Sequence, residues 1–151
     1  MLEISPRGIA TVTLNRPEVF NGYNESLLTS LRDVIHELDV DNSVRAILLK
    51  GAGKHFSAGA DVNWFKELAK ADPSVRLAAS RLSTSTMRAL DECSKPTIAM
   101  VQNACFGGGA GYAAACDVVF ASEDARFAIT EVRLGITPAP ILNQVIKALG
   151  V

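Results

Sequence analysis

Apolar and polar residues alternate at period two in "IATVTLN" (9–15), which predicts a half-buried strand, and the turn residues "SPRG" just before it predict an N-terminal hairpin. The period changes after Asn24. Leu27, Leu28, Leu31, Val34, Ile35 and Leu38 recur at steps of three and four, one face of an amphipathic helix. "VRAILLK" (44–50), closed by Gly51 and Gly53, and "TIAMVQ" (97–102) are short branched-apolar runs of the kind that form strands buried on both faces. Between them the chain predicts a glycine-broken loop, a short helix from Asp61 to about Ala69, and a longer helix from Pro73 to about Cys93 with proline in its first turn. A brief helix to Cys116 follows, then strands over "DVVFAS" (117–122) and "RFAI" (126–129). A last helix after Pro140 carries Ile141, Val145, Ile146 and Leu149 and stops at Gly150. Strand, helix, strand recurs without linker or low-complexity segment, so residues 1–151 are expected to form a single α/β domain.

Composition narrows the function classes. The chain has 151 residues, 48% of them hydrophobic and 21% charged, with apolar runs broken well before the length a bilayer needs, so no membrane partner is expected. A net charge of −1 with scattered Lys and Arg leaves no basic stripe for nucleic acid. Cys93, Cys105 and Cys116 are odd in number and lack CxxC spacing, which argues against a disulfide framework and against a structural metal. Strand-like sequence starts almost at Met1, so a cytoplasmic protein without a secretory leader is expected.

The chemistry concentrates in "ACFGGGAGYAAACD" (104–117), where consecutive glycines open an alanine-rich helix. Such a turn lets backbone approach something closely or aims amide N–H groups at an anion. A P-loop fails, because His55 follows Gly53-Lys54 and leucine occupies position 48. Gly109, Gly111 and Ala114 match a dinucleotide fingerprint nominally, but the helix they open is too short for that unit. An oxyanion hole, built from one N–H of this turn and one from a distant loop, and a tight packing turn both remain open at this point. The second loop is at hand: "GKHFSAGADVNWF" (53–65) also follows a strand, is made of small residues and leads into a helix. Both loops fall at the same edge of a parallel sheet, where ligands of open α/β folds bind.

These residues resemble the crotonase family, the enoyl-CoA hydratase/isomerase superfamily. The resemblance is carried by "TLNRPEVFNGYN" (13–24), "GKHFSAGADV" (53–62), "KPTIAMVQNACFGGG" (95–109), "CDVVFASEDARFAITEVRLGI" (116–136) and "PAPI" (138–141), in order over nearly the whole chain. It implies a spiral of ββα repeats that binds an acyl-CoA thioester, with coenzyme A entering as part of the substrate and no separate cofactor. By family position Ala60 and Gly108 are the two oxyanion N–H donors, and Glu131, in "ITEVRLG", is the acid or base that moves a proton at carbon. Phe20, Gly22, Ala58, Ala60, Asp61, Val62, Gly107, Gly108 and Gly111 are implied contacts to substrate or CoA.

One departure matters. Two-glutamate hydratases of the family carry a second glutamate three residues after the oxyanion glycine, where this chain has Gly111. The run after it nevertheless resembles a branch acting on methyl-branched, glutaconyl-like CoA esters, which implies a hydratase. The single glutamate keeps a double-bond isomerase or a catalytically silent CoA-binding member open. Phe20 stands where many relatives have a basic residue. His36 and His55 are expected at the surface, Asp117 to brace backbone, Cys105 and Cys116 to pack in the core, and Trp64 to pack or to line the acyl pocket. Family members run further, with C-terminal helices that complete the site and build trimers or hexamers. A fragment of a longer chain, lacking that helical part, is therefore expected.

Overall fold

The computed structural model describes residues 1–150. Its frame is a five-stranded sheet in the order β1 (Leu2–Ile4), β2 (Ile9–Leu14), β3 (Ala46–Gly51), β4 (Thr97–Val101) and β6 (Val118–Ala121). Only β1 and β2 are antiparallel, forming the expected hairpin. The register then runs parallel through Val12 beside Leu49, Leu49 beside Ala99, and Ala99 beside Val119. A second, minor sheet pairs β5 (Ala104–Phe106) with β7 (Arg126–Ala128). Single bridges extend it, Ser57 to Cys105 and Tyr23 to Ala60.

The chain winds between the two sheets in four turns, each placing a strand in the large sheet, a short strand in the minor one, and then helix. The helices are α1 (Glu25–Val40) in the first turn, α2 (Val62–Lys70) and α3 (Pro73–Asp91) in the second, and α4 (Gly108–Ala115) in the third. The fourth turn has 3₁₀ segments at Glu131–Leu134 and Ala139–Ile141 and ends in α5 (Leu142–Leu149). This is the spiral of ββα repeats that the motifs imply.

Local chemistry sets the helix starts. Asn24 caps α1 by accepting the Leu27 N–H, and Asp61 caps α2 by accepting the N–H groups of Asn63 and Trp64. Leu28, Leu31, Ile35 and Leu38 of α1 are buried, as their spacing predicts, together with Ala10, Val12, Ile47, Leu49, Ala99, Met87 and Leu90. Helix α4 is buried nearly all round, so only glycine, alanine and one tyrosine face the packed neighbours along most of its length. At the foot of the sheet Thr97 and Asp117 brace β4 against β6: the Thr97 N–H and hydroxyl donate to Asp117 Oδ2 at 2.8 and 2.9 Å, while Asp117 N–H donates to Thr97 Oγ1 at 3.0 Å. Lys147 Nζ ties α5 to the end of α3 through Asp91 Oδ1, 2.7 Å away.

The large sheet departs from expectation in its burial. Residues of β3 alternate between buried and half-buried, Met100 of β4 is 45% exposed and Phe120 of β6 is 64% exposed. Helices α1 and α3 cover one face only, and β6 is an edge strand, so a run of branched residues here does not mean burial on both sides. None of the described helices is long and apolar enough to cross a membrane.

Candidate active site

The minor sheet brings together segments that are far apart in sequence. The Tyr23 N–H donates to Gly59 O and the Asp61 N–H donates to Tyr23 O, both at 2.9 Å. Because groups along a strand alternate between its two edges, the Ala60 N–H then turns to the other edge. On that edge runs the 104–108 segment, held by Ser57 N–H to Ala104 O at 3.0 Å and Phe106 N–H to Ser57 O at 2.9 Å. The approach is close: a Cβ at Gly59 would lie 3.0 Å from Phe106 O and 3.7 Å from Gly108 N, and one at Gly109 would lie 2.7 Å from Ser57 O. Among the described residues, neither the Ala60 nor the Gly108 N–H donates to a protein acceptor. The Gly108 N–H belongs to the first turn of α4, where no intrahelical acceptor exists and the helix dipole adds positive potential.

Gly107 shows why glycine opens this turn. It holds a φ of +52°, and a Cβ there would sit 3.1 Å from Glu131 Oε1 and 3.3 Å from Thr130 Oγ1. Its own N–H donates to Ala128 O at 2.8 Å, which anchors the turn to β7 and thus to the segment carrying Glu131. Glu131 Oε2 is buried and has no hydrogen-bond partner among the described residues. The Gly107 turn lies against the carboxylate, while the neighbouring Val132 is 72% exposed.

A network behind the loops holds them in place. Arg16 Nη2 pairs with Asp61 Oδ2 at 2.8 Å, and Arg16 Nη1 donates to Gly22 O. Burial works to raise the Asp61 carboxyl, but the Arg16 hydrogen bond and the N–H groups of Asn63 and Trp64 outweigh it and hold the group below the usual carboxylate value. Asn21, fully buried, donates to Ala52 O and His55 O at 2.8 Å each and accepts the Arg16 N–H at 2.9 Å. Ser57 Oγ donates to Asn21 O at 3.0 Å. Asp61, an implied contact to CoA, thus spends its side chain on Arg16 and the α2 cap and presents only backbone to a ligand.

The other implied contacts are placed as follows. Gly22 packs against Val19 O and the Asp61 backbone, while Phe20 is 56% exposed with its ring edge-on to His55, centroids 5.0 Å apart. Ala58 donates its N–H to Phe20 O at 3.0 Å, and Val62 is 65% exposed at the start of α2. Gly111 lies in the middle of α4, where a Cβ would overlap Ile141 Cγ2 and lie 3.3 Å from Met87 Sδ, so this position is filled by apolar neighbours. His36 is exposed, Cys105 is fully buried, and burial pushes both the Cys105 and Cys116 thiols up to about 12.

Sequence reasoning missed two tyrosines. Tyr23 lies edge-on to Trp64 and to Tyr112, with ring centroids 5.9 and 6.0 Å away, and its ring occupies the space beside Gly108. Tyr112 is fully buried, with its hydroxyl unpartnered among the described residues. No period or motif of the sequence signals either contact. The only hint is that Tyr23 sits between the Gly22 turn and the Asn24 cap.

A spiral of ββα turns with two small-residue loops meeting beside the buried Glu131 Oε2 defines the class of fold and the candidate site. The sequence matches the family Enoyl-CoA hydratase/isomerase over residues 5–151, and the chain belongs to that family. It is 40% identical over 131 residues to the short-chain-enoyl-CoA hydratase of Clostridium acetobutylicum, covering 86% of this chain and 49% of that one. Over 151 residues it is 30% identical to a mitochondrial Delta(3,5)-Delta(2,4)-dienoyl-CoA isomerase of Dictyostelium discoideum, covering 94% of this chain and 52% of the relative. The crystal structure of an enoyl-CoA hydratase from Shewanella pealeana superposes with a TM-score of 0.92 at 36% identity, over 96% of this chain and 54% of that one. The chain spans about half the length of these relatives.

Proposed function

We propose that the protein hydrates an α,β-unsaturated acyl-CoA through an enolate whose oxygen is held by the Ala60 and Gly108 N–H groups, with Glu131 moving the proton. The observation that carries this reading is the convergence of two loops from different turns of the spiral, each offering an unused N–H, beside a buried carboxylate oxygen with no partner among the described residues. A buried polar atom without a partner is costly, and such a group is accounted for when a ligand supplies the partner. Charge grows on the thioester oxygen as water adds, so preorganised amides stabilise that state more than the ground-state carbonyl; one such donor is worth about 2.7–4 kcal/mol of barrier.

Glu131, the carboxylate lying against the Gly107 turn, takes a proton from water as the hydroxyl adds to the β-carbon and returns it to the α-carbon. A second reading, double-bond isomerisation, draws support from Gly111, whose surroundings leave no room for another carboxylate. There Glu131 carries a proton from one carbon to another and no water is needed. For the acyl group we favour a methyl-branched, glutaconyl-like chain, supported by the motif run around Glu131, and for the assembly a cytoplasmic trimer or hexamer. CoA would lie along the backbone at Ala58, Ala60, Asp61 and Val62.

The test is incubation with unsaturated acyl-CoAs in isotopically labelled water, following mass gain and loss of the conjugated double-bond absorbance. Hydration gives one added water. Isomerisation moves the double bond with no added water. Glu131→Gln is expected to bind the acyl-CoA with turnover reduced by roughly 10²-fold or more; undiminished turnover would remove Glu131 from the mechanism, and absence of both reactions in the parent protein would refute the reading.

A further inference from the structure

The hydratase reading uses two amides and one carboxylate, and it leaves a tyrosine beside the Gly108 turn without a task. We propose that Tyr23 is a catalytic residue, its phenol hydroxyl donating a third hydrogen bond to the thioester oxygen beside the Gly108 N–H. This inference rests on the proposed enolate chemistry and deepens it.

Position is the first support. Tyr23 is itself a member of the minor sheet, and its backbone bonds to Gly59 and Asp61 flank the residue that offers one oxyanion N–H. Its ring reaches across to the other: a Cβ at Gly108 would overlap Cε1 and lie 2.9 Å from Oη. The hydroxyl therefore stands beside the Gly108 Cα, in the first turn of α4, whose N–H has no acceptor among the described residues. A glycine at 108 is what makes room for this ring, a requirement independent of backbone conformation, since Gly108 is not among the positive-φ residues.

Preorganisation is the second. The ring is gripped edge-on by Trp64 of α2 and by Tyr112 of α4, so little rotation is left to freeze when substrate arrives. Among the described residues the hydroxyl donates to no protein acceptor, which leaves its proton for a ligand.

Protonation is the third. Burial, with the nearby charge of Glu131, pushes the Tyr23 hydroxyl up to about 12, so it remains a neutral donor through the whole range in which the glutamate works. Tyr112, whose hydroxyl is pushed well up by burial and then by Tyr23, stays neutral beside it. No proton changes hands at Tyr23. The phenol keeps its hydrogen and shares it with the growing negative oxygen, while Glu131 performs the transfers.

Tyr23→Phe tests this cleanly, since it keeps the ring between Trp64 and Tyr112. Two readouts are needed. In turnover, the variant is expected to lose roughly 10²-fold in kcat with KM little changed. In binding, the carbonyl stretch of butyryl-CoA labelled at the thioester carbon, a saturated probe that cannot react, is expected at higher wavenumber in the variant than in the parent protein, because one donor is gone. A variant with parental kcat and an unmoved carbonyl band would overturn the proposal while leaving the hydratase reading intact. A parent protein that neither turns over enoyl-CoAs nor shifts the butyryl-CoA carbonyl would overturn both. Loss of kcat with an unmoved band assigns the residue a packing role and likewise overturns it.

Discussion

Gly111→Ala is the most informative single change for the shape of the site. The added methyl would overlap Ile141 Cγ2, and it would lie 2.8 Å from Ile141 Cβ and 3.3 Å from Met87 Sδ, well inside ordinary van der Waals separation. Met87 can swing its sulfur aside, but Ile141 is β-branched and 2% exposed, so its Cγ2 has nowhere to go. Overpacking of this kind costs about 1–3 kcal/mol, while replacing glycine inside a helix returns about 0.8–1.0 kcal/mol. The expected balance is a net loss of about 0–2 kcal/mol, or a fall in Tm of up to about 8 °C for a chain of this size. Ile141→Ala alone opens a cavity and costs about 2–5 kcal/mol. Combined, the two changes should be less harmful than their sum by about 1 kcal/mol, because the methyl then occupies part of the vacated space. Denaturant unfolding of the four proteins measures that coupling. Strict additivity, or a Gly111→Ala protein more stable than its parent, would refute the claim that Ile141 fixes glycine at 111.

Two further changes probe the supports of the site. Asp61 titrates below its unfolded value, so the stability it contributes is in place above about pH 4 and is lost as pH falls through the lower folded value. Asp61→Asn keeps the helix cap but not the charge facing Arg16, and it is expected to flatten the acid limb of the stability curve below about pH 4; an unchanged acid limb in urea titrations would count against the Arg16 pairing. Thr97→Val removes both hydroxyl bonds to Asp117 with little change in shape. A loss of about 1–2 kcal/mol is expected, seen as a lower denaturant midpoint with the same slope, and an unshifted midpoint would show that the brace adds nothing.

What the sequence makes legible follows from the length of each signal. Helix α1 spans 16 residues, so its buried leucines and Ile35 declare themselves by period, and the Asn24 cap marks where it starts. The segments of the minor sheet are too short for any period: Tyr23, Ser57 and Ala60 join it through single bridges. Arg16 and Asp61 meet across 45 positions, and nothing local to either announces the other. The edge strand shows the converse. Val118, Val119 and Phe120 have the composition of a buried strand, yet each is more than 40% exposed because only position in the sheet decides which faces are covered. Glycine positions were readable as a class, but their individual reasons were not. Gly107 clears a carboxylate, Gly108 a phenol ring and Gly111 an isoleucine, three different neighbours from three different parts of the chain.

The winding of the chain has a consequence for its synthesis. Ala60 arrives with the second turn, Gly108 with the third and Glu131 with the fourth, each laid beside the one before. A nascent polypeptide therefore carries both small-residue loops before it carries the carboxylate. On the proposed reading, until residue 131 clears the ribosome a growing chain holds both amide donors but not the glutamate, so ligand capture and reactivity become separable milestones along translation.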